Sequence, residues 1–354
     1  EIGFDLVGIT GARPMTELAA LLEERRKTGL WPPFVSAQVE ERLDPGRLLP
    51  GAQAVIMVAL NYYYPLTGPA AELGLSRSTL GTDYHLVLGA MLEKLGQKLQ
   101  EIEPGLRYRK FVDTGPLLER ELARRAGLGW IGKNTNLLTP SFGSWVFLGG
   151  LVVNRELEED RPLPRDCGDC TRCLEACPAG ALEGPYRLNP HRCLSYLTQK
   201  KGFLTGEERE RLGGRVYGCD TCQAACPVNA KGARVTQHEA FQPRWPQDLS
   251  LADLALLDNA TFRRLFGQST LAWRGKTNLK RNAVIALGLR GERDALPVLA
   301  QALQDASPVV RGQAAWALGR LTAPEAPDLL ERALAGEKDP RVVQELQRAL
   351  AALK

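Results

Sequence analysis

At 354 residues the chain is long enough for two or three domains of about 100–200 residues each. Its 44% hydrophobic and 24% charged residues are those of an ordinary globular protein. The longest apolar stretch, Trp145 to Val153, is broken by Gly149 and Gly150 and falls far short of the ~20 residues a membrane span needs, so no membrane association is expected.

The net charge of +4 is mild but uneven. Between Arg263 and Arg293 stand Arg263, Arg264, Arg274, Lys276, Lys280, Arg281, Arg290 and Arg293, against Glu292 alone. Such a stripe suits a phosphate backbone; a solvated helix face is the plain alternative. The text opens on Glu1 in mid-pattern (EIGFDLVGIT), which leaves the natural start open, so the lack of a leader says little.

Along the chain, Ala54 to Leu60 is short and apolar, like a buried strand. Tyr84 to Gln100 carries helix-spaced Leu86, Leu88, Leu92, Leu95 and Leu99. Arg107 to Val112 reads as a strand that delivers Asp113 at its end, and Leu117 to Ala126 as a helix with Pro116 at its start and Gly127 as its stop. Trp145 to Val153 is a further core strand. The alternation predicts an α+β or α/β domain with a central sheet over residues 1–160.

A Gly-, Pro- and Cys-rich stretch follows, over 161–235, too poor in apolar residues to hold itself together without metal. Residues 236–275 read as a helical linker. The end of the chain, 276–354, is repetitive: Asn282-Ala-Val-Ile-Ala-Leu-Gly288 recurs as Gln313-Ala-Ala-Trp-Ala-Leu-Gly319, and Ser307-Pro-Val-Val-Arg311 is echoed by Asp339-Pro-Arg-Val-Val343. A period near thirty with paired helices predicts short HEAT-like repeats. With barely more than two units, this module is expected to lean on the rest of the protein.

All eight cysteines lie between Cys167 and Cys226. That clustering argues for metal ligation in a reducing compartment, hence a cytoplasmic protein, rather than for a secreted disulfide framework. Cys167-x-x-Cys170-x-x-Cys173-x-x-x-Cys177-Pro178 is the full bacterial ferredoxin run, in which the fourth thiolate reaches the other cluster. The second half is Cys193, a long insertion, then Cys219-x-x-Cys222-x-x-x-Cys226-Pro227. Crossing then assigns Cys167, Cys170, Cys173 and Cys226 to one [4Fe–4S] cluster, and Cys177, Cys193, Cys219 and Cys222 to the other. Structural zinc also uses Cys-x-x-Cys pairs, but two interlocked Cys-x-x-x-Cys-Pro endings are foreign to it.

Three near matches fail on context. Gly127-Leu-Gly129-Trp-Ile-Gly132 has the letters of a dinucleotide fingerprint, but a charged helix rather than a strand precedes it. Followed by Lys133 it resembles a P-loop, with Asn134 where magnesium needs Ser or Thr. Asp83-Tyr-His85 with Gly89 is one residue away from a cobalamin-ligating histidine motif, which leaves His85 as a packed or surface histidine rather than a metal ligand.

Taken together, Val112-Asp113-Thr-Gly-Pro116, Gly129-Trp-Ile-Gly-Lys-Asn134 and Phe142-Gly-Ser-Trp145 before the ferredoxin run, with Cys193-Leu-Ser-Tyr196 and Tyr217-Gly-Cys-Asp-Thr-Cys-Gln223 after it, resemble the epoxyqueuosine reductase family over almost the whole chain. The resemblance implies a cobalamin-dependent oxidoreductase. It would remove the epoxide oxygen from epoxyqueuosine at the wobble position of tRNA, the last step of queuosine synthesis, with electrons passing through two [4Fe–4S] clusters to cobalamin. It implies Asp113 as proton donor, against the plain reading of a helix cap before Pro116. Lys133, Asn134, Ser144 and Trp145 would line the cofactor or substrate pocket, against ordinary turn and core packing. Ser76 stands where some members place a cysteine near cobalt, which excludes a thiolate contact here.

The basic tail, with Lys200 and Lys201, would grip tRNA phosphates and present an unstacked anticodon base. An unidentified reductase or flavoprotein would supply electrons to a monomeric enzyme. Two other readings compete. A reductive dehalogenase-like small-molecule cobalamin reductase would not need the basic solenoid, and a non-enzymatic electron carrier would leave the Asp113 region without a use.

Overall fold

The computed structural model describes residues 2–35, 38–246 and 248–353. The chain forms two compact units, each built from separated segments: Glu1–Tyr64, Thr82–Cys193 and Asp220–Gln242 make the first, and Pro65–Gly81, Leu194–Cys219 and Pro243–Lys354 the second.

The first unit is organised by a four-stranded antiparallel sheet of β1 (Leu6–Gly11), β2 (Ala54–Asn61), β3 (Tyr108–Phe111) and, after the short hairpin strands β4 (Trp130–Ile131) and β5 (Leu137–Leu138), β6 (Val146–Val153). The order is β1-β2-β6-β3, with Ala54 opposite Val153 and Asn61 opposite Val146 in the central pair. Every residue of β2 is buried, because apolar side chains cover both faces. Val55, Met57 and Ala59 point into one core with Met15, Leu122 and Ala126; Ala54, Ile56, Val58 and Leu60 point into the other with Leu88, Leu92 and Trp145. A strand with a period of two and no polar face reads as the continuous apolar run seen in the sequence. The antiparallel pairing makes the domain α+β, with helices Tyr84–Ile102 and Glu119–Arg125 against the sheet.

In the second unit, helices Lys276–Arg290, Leu296–Ala302, Pro308–Leu318, Ala326–Gly336 and Pro340–Ala352 form the expected solenoid. The repeated Ala-Leu-Gly triplet has a packing cause. A Cβ on Gly288 would meet that of Ala317 at 2.6 Å, and one on Gly319 would meet that of Ala349 at 2.8 Å. Each glycine therefore lets the next inner helix come close.

Two cations of the basic stripe, Lys280 and Arg281, are turned inward. Arg281 is wholly buried and Lys280 is 8% exposed. Lys280 is ion-paired with Asp305. The Arg281 guanidinium donates to the carbonyls of Lys200, Gly202, Leu197 and Thr198, the last three at 3.0–3.3 Å. Asn282 donates to the carbonyls of Thr198 and Val216 at 2.8 and 2.7 Å, and Asn278 to those of Gln199 and Lys200 at 3.1 Å. Lys200 is itself bonded to Glu208 at 2.5 Å. Arg281, Asn278 and Asn282 satisfy carbonyls that would otherwise lack these donors, and Lys280 and Lys200 are spent on carboxylates, so all act as internal fastening. Arg263, Arg264, Arg290, Arg293 and Lys201 remain exposed.

Candidate functional site: a cysteine cradle and an acidic recess

In the first unit, Cys173 lies on the short helix Arg172–Glu175 and Cys222 on Thr221–Ala224, and these two helices pack on each other. Cys226 caps the helix Pro227–Lys231, where proline is pre-set for a first turn. Burial and then the neighbouring Cys226, Cys167 and Cys170 push the Cys173 thiol above its ordinary value. The four cysteines that crossing assigned to one cluster are thus electrostatic neighbours, although Cys226 is 53 positions from Cys173 in the chain. Bound iron would reverse that penalty by taking the thiolates as ligands.

Ala181 N–H donates to Cys177 Sγ at 3.3 Å, a bond of the kind that tunes cluster potentials. Among the described residues no three His, Cys, Asp or Glu side chains converge on a single ion position. Thiolates on the separate corners of an iron–sulfur cube need no such convergence. Cys193 closes a segment of the first unit and Cys219 a segment of the second.

A second site lies at the end of β3. Asp113 follows this strand with φ of +50°, a left-handed conformation that costs a non-glycine residue about 1–2 kcal/mol. It caps no helix: Leu118 is the N-cap of Glu119–Arg125. Its side chain is 64% exposed, and three neighbours hold it. Tyr84 Oη donates to Asp113 Oδ2 at 2.8 Å. Asp113 N–H donates to Glu119 Oε1 at 2.5 Å. His85 Nε2 stands 3.8 Å from Asp113 Oδ2.

Tyr84 is clamped between the His85 and Phe147 rings, each with its centroid at 4.2 Å. Burial, the Asp113 charge and their hydrogen bond raise its ionisation far above the ordinary phenol range, so it is a permanent donor. Burial first, and then the Asp113 charge, pushes the Glu119 carboxyl up to about 8. In its neutral form it accepts the Asp113 N–H without adding a charge to the loop. Glu119 and Arg120 both keep accessible surface, yet desolvation is the largest influence on each. Side chains that water reaches but protein surrounds line a recess.

The remaining pocket candidates are placed differently. Lys133 Nζ donates to the Gly168 carbonyl at 2.5 Å, between Cys167 and Cys170. Asn134 is 5% exposed, and its Oδ1 accepts from Asn136 N–H at 3.2 Å. Ser144 N–H donates to Asn229 Oδ1 at 2.6 Å and Ser144 Oγ to Gln223 Oε1 at 2.7 Å, bonds that tie the start of β6 to the cysteine segment. Trp145 is buried against Tyr62 and Tyr63. Ser76 belongs to the second unit, is buried, and lies 3.0 Å from Ser78 Oγ. Tyr84, Glu119 and Arg120 had no motif to announce them. His85 had one, read only for metal.

Residues 166–229 match the family model for a 4Fe-4S double cluster binding domain, 42–114 that for epoxyqueuosine reductase QueG (DUF1730), and 272–351 that for HEAT repeats. Two [4Fe–4S] clusters are therefore cofactors of this chain. An epoxyqueuosine reductase of Bacillus cereus is 39% identical, covering 99% of this chain and 94% of that protein. One of Listeria monocytogenes is 41% identical over 98% and 93%. Among solved structures, an epoxyqueuosine reductase with an epoxyqueuosine-modified tRNA-Tyr stem loop superposes with a TM-score of 0.93 at 38% identity, covering 99% of this chain and 96% of that one. Another, from Bacillus subtilis with its aspartate-bearing catalytic loop swung out of the active site, has a TM-score of 0.93 at 37% identity, covering 100% and 96%. At this identity over nearly the full length of both partners, the chain belongs to the epoxyqueuosine reductase family.

Proposed function

We propose that the chain reduces epoxyqueuosine to queuosine at the wobble position of tRNA anticodons, with Asp113 as the proton donor. The carrying observation is an exposed carboxyl held in a strained backbone conformation at a strand end, with Tyr84 donating to it and Glu119 gripping its amide. Strain of this kind persists where the surroundings over-determine it, as they do at reacting centres. The relative bound to an epoxyqueuosine-modified stem loop supplies the substrate class, and the relative with a displaced catalytic loop supports the aspartate's role.

The cysteines fit two [4Fe–4S] clusters, with Cys167, Cys170, Cys173 and Cys226 holding one and Cys177, Cys193, Cys219 and Cys222 the other. Cobalamin, the family's cofactor, would fit against the recess, where His85 Nε2 is buried without a hydrogen-bond partner and the Asp113 carboxyl stands open. When bound, these groups supply electrons one at a time and a strong nucleophile toward the epoxide. The protein's own part is proton chemistry. Asp113 delivers a proton to the departing oxygen, Tyr84 fixes Oδ2 and steadies the carboxylate left behind, and the neutral Glu119 keeps the loop in place.

Residues 1–160 would form the cobalamin domain, 161–235 the ferredoxin-like domain, 236–275 a helical linker and 276–354 the HEAT-like domain. Lys133, Asn134, Ser144 and Trp145 would shape the pocket wall through turn and core packing. The exposed Arg263, Arg264 and Lys201 are the better tRNA phosphate contacts. No helix among the described residues is long and apolar enough to cross a membrane. The clustered cysteines support a reducing, cytoplasmic setting, and the chain would act there as a monomer served by a reductase or flavoprotein.

Asp113→Asn tests the reading. Single-turnover conversion of epoxyqueuosine-bearing tRNA should fall by about 10³-fold, within the range for a lost general acid, while tRNA affinity and iron content stay the same. Wild-type conversion in this variant would remove Asp113 from its role.

A further inference from the structure

Deoxygenating an epoxide has a fixed balance. Two electrons and two protons enter, both C–O bonds break, a C=C bond forms and the oxygen leaves as water. The electrons are those of the reductase activity, drawn from a low-potential one-electron donor through the clusters. The protons must come through the recess, and Asp113 carries one.

A donor of the second proton must stand close to the Asp113 carboxylate. Tyr84 touches Oδ2, but its ionisation is driven far out of reach. Glu119 is engaged by the Asp113 backbone amide, which donates to its Oε1, so that oxygen serves to hold the loop. His85 has the matching geometry. Asp83 Oδ1 lies 2.7 Å from its Nδ1 and caps the helix that carries it by accepting His85 N–H at 2.9 Å. A carboxylate on Nδ1 fixes the proton there, which turns Nε2 toward the other partner. That atom is buried, has no hydrogen bond, and lies 3.8 Å from Asp113 Oδ2. The ring is held flat against Tyr84, which donates to the same oxygen.

We propose that His85 supplies the second proton of each turnover by reprotonating Asp113 through Nε2, with Asp83 orienting the ring. The sequence runs in two transfers. Asp113 gives its proton to the oxygen as the first C–O bond opens; His85 then passes its Nε2 proton to the Asp113 carboxylate, which gives it to the oxygen as the second C–O bond breaks and water leaves. His85 recovers its proton from solvent. His85 acts through Asp113 and is a positioning and supply residue, not one that meets the substrate. The charged groups facing the ring support this. The Asp83 hydrogen bond, working against burial, raises the His85 ionisation above the ordinary histidine range, with the Asp83 and Asp113 charges adding to the rise. The proton-bearing form is therefore favoured at low pH and lost as pH climbs through that raised value.

This inference rests on the Asp113 reading, and His85→Ala separates the two. In anaerobic single turnovers with epoxyqueuosine-bearing tRNA stem loop, the variant should convert about 10²-fold more slowly, with unchanged iron content and RNA affinity. Added imidazole should restore a large part of the rate, with a pH dependence set by the imidazole. In mixtures of light and heavy water, the wild type should show a curved two-proton response and the variant without imidazole a linear one. A variant at the wild-type rate overturns the proposal, as does a slow, folded variant that imidazole leaves unchanged. If Asp113→Asn is inactive while His85→Ala is fully active, the supply role alone fails. If Asp113→Asn is active, the parent reading fails as well.

Discussion

Two clusters of charge in this chain do opposite work. Around Asp113, an exposed carboxyl in a left-handed backbone faces a histidine nitrogen without a hydrogen bond and a carboxyl whose ionisation burial pushes up to about 8. Around Arg281, a wholly buried guanidinium spends its donors on four backbone carbonyls, and Asn278 and Asn282 do the same beside it. The first cluster is poised because its polar atoms are incompletely satisfied, and the second is rigid because its own are fully used. Charge density alone therefore says little about function; what matters is whether the hydrogen-bonding capacity is already spent.

The contrast can be broken from either side. The larger effect is expected at Arg281→Met, which keeps the volume and removes the donors. The carbonyls of Leu197 and Gly202 would lose their side-chain donor, and those of Thr198 and Lys200 would keep only the bonds from Asn282 and Asn278, at about 1–3 kcal/mol for each that finds no water. The cluster-loaded protein should unfold with at least about 3 kcal/mol less stability in a denaturant titration, while the folded fraction keeps its turnover rate. Unchanged stability would show that the guanidinium does not fasten the Leu197–Gly202 turn. A smaller effect is expected at Tyr84→Phe, which removes one hydrogen bond to a carboxylate, about 1.5 kcal/mol. Single-turnover conversion should drop roughly tenfold with no change in unfolding, and a loss as large as that of Asp113→Asn would place Tyr84 in the proton path itself.

How far the sequence could be read follows the same division. The cysteine cradle was legible because ligand spacing is local: Cys-x-x-Cys-x-x-Cys fixes neighbouring corners of one cube within seven residues. The central sheet was legible because β2 is apolar on both faces. The antiparallel pairing was not, since strand direction depends on connections that periodicity does not encode. The repeated Gly288 and Gly319 were visible as a repeat, while their cause, the approach of Ala317 and Ala349, needed the packed helices.

Asp113 was found by resemblance, but its partners come from a helix start 29 positions upstream and another six positions downstream. No single window of sequence holds them together. The inward place of Lys280 and Arg281 within the basic stripe was not legible, because a helix buried on nearly every side normally reads as apolar. In Lys276–Arg290, the residues from Asn278 to Gly288 are all buried; Asn278, Arg281 and Asn282 among them serve carbonyls far away in the chain, and Lys280 pairs with Asp305.

The central claim is that this chain removes the epoxide oxygen from a modified tRNA base. The most direct test is one anaerobic experiment, in which iron- and cobalamin-loaded protein, reduced by a low-potential donor, is mixed with a slight deficit of epoxyqueuosine-bearing tRNA stem loop. The nucleosides are then quantified by mass spectrometry. The account predicts near-complete conversion of epoxyqueuosine to queuosine. Fully loaded, reduced protein with the stem loop bound and no queuosine formed would contradict it.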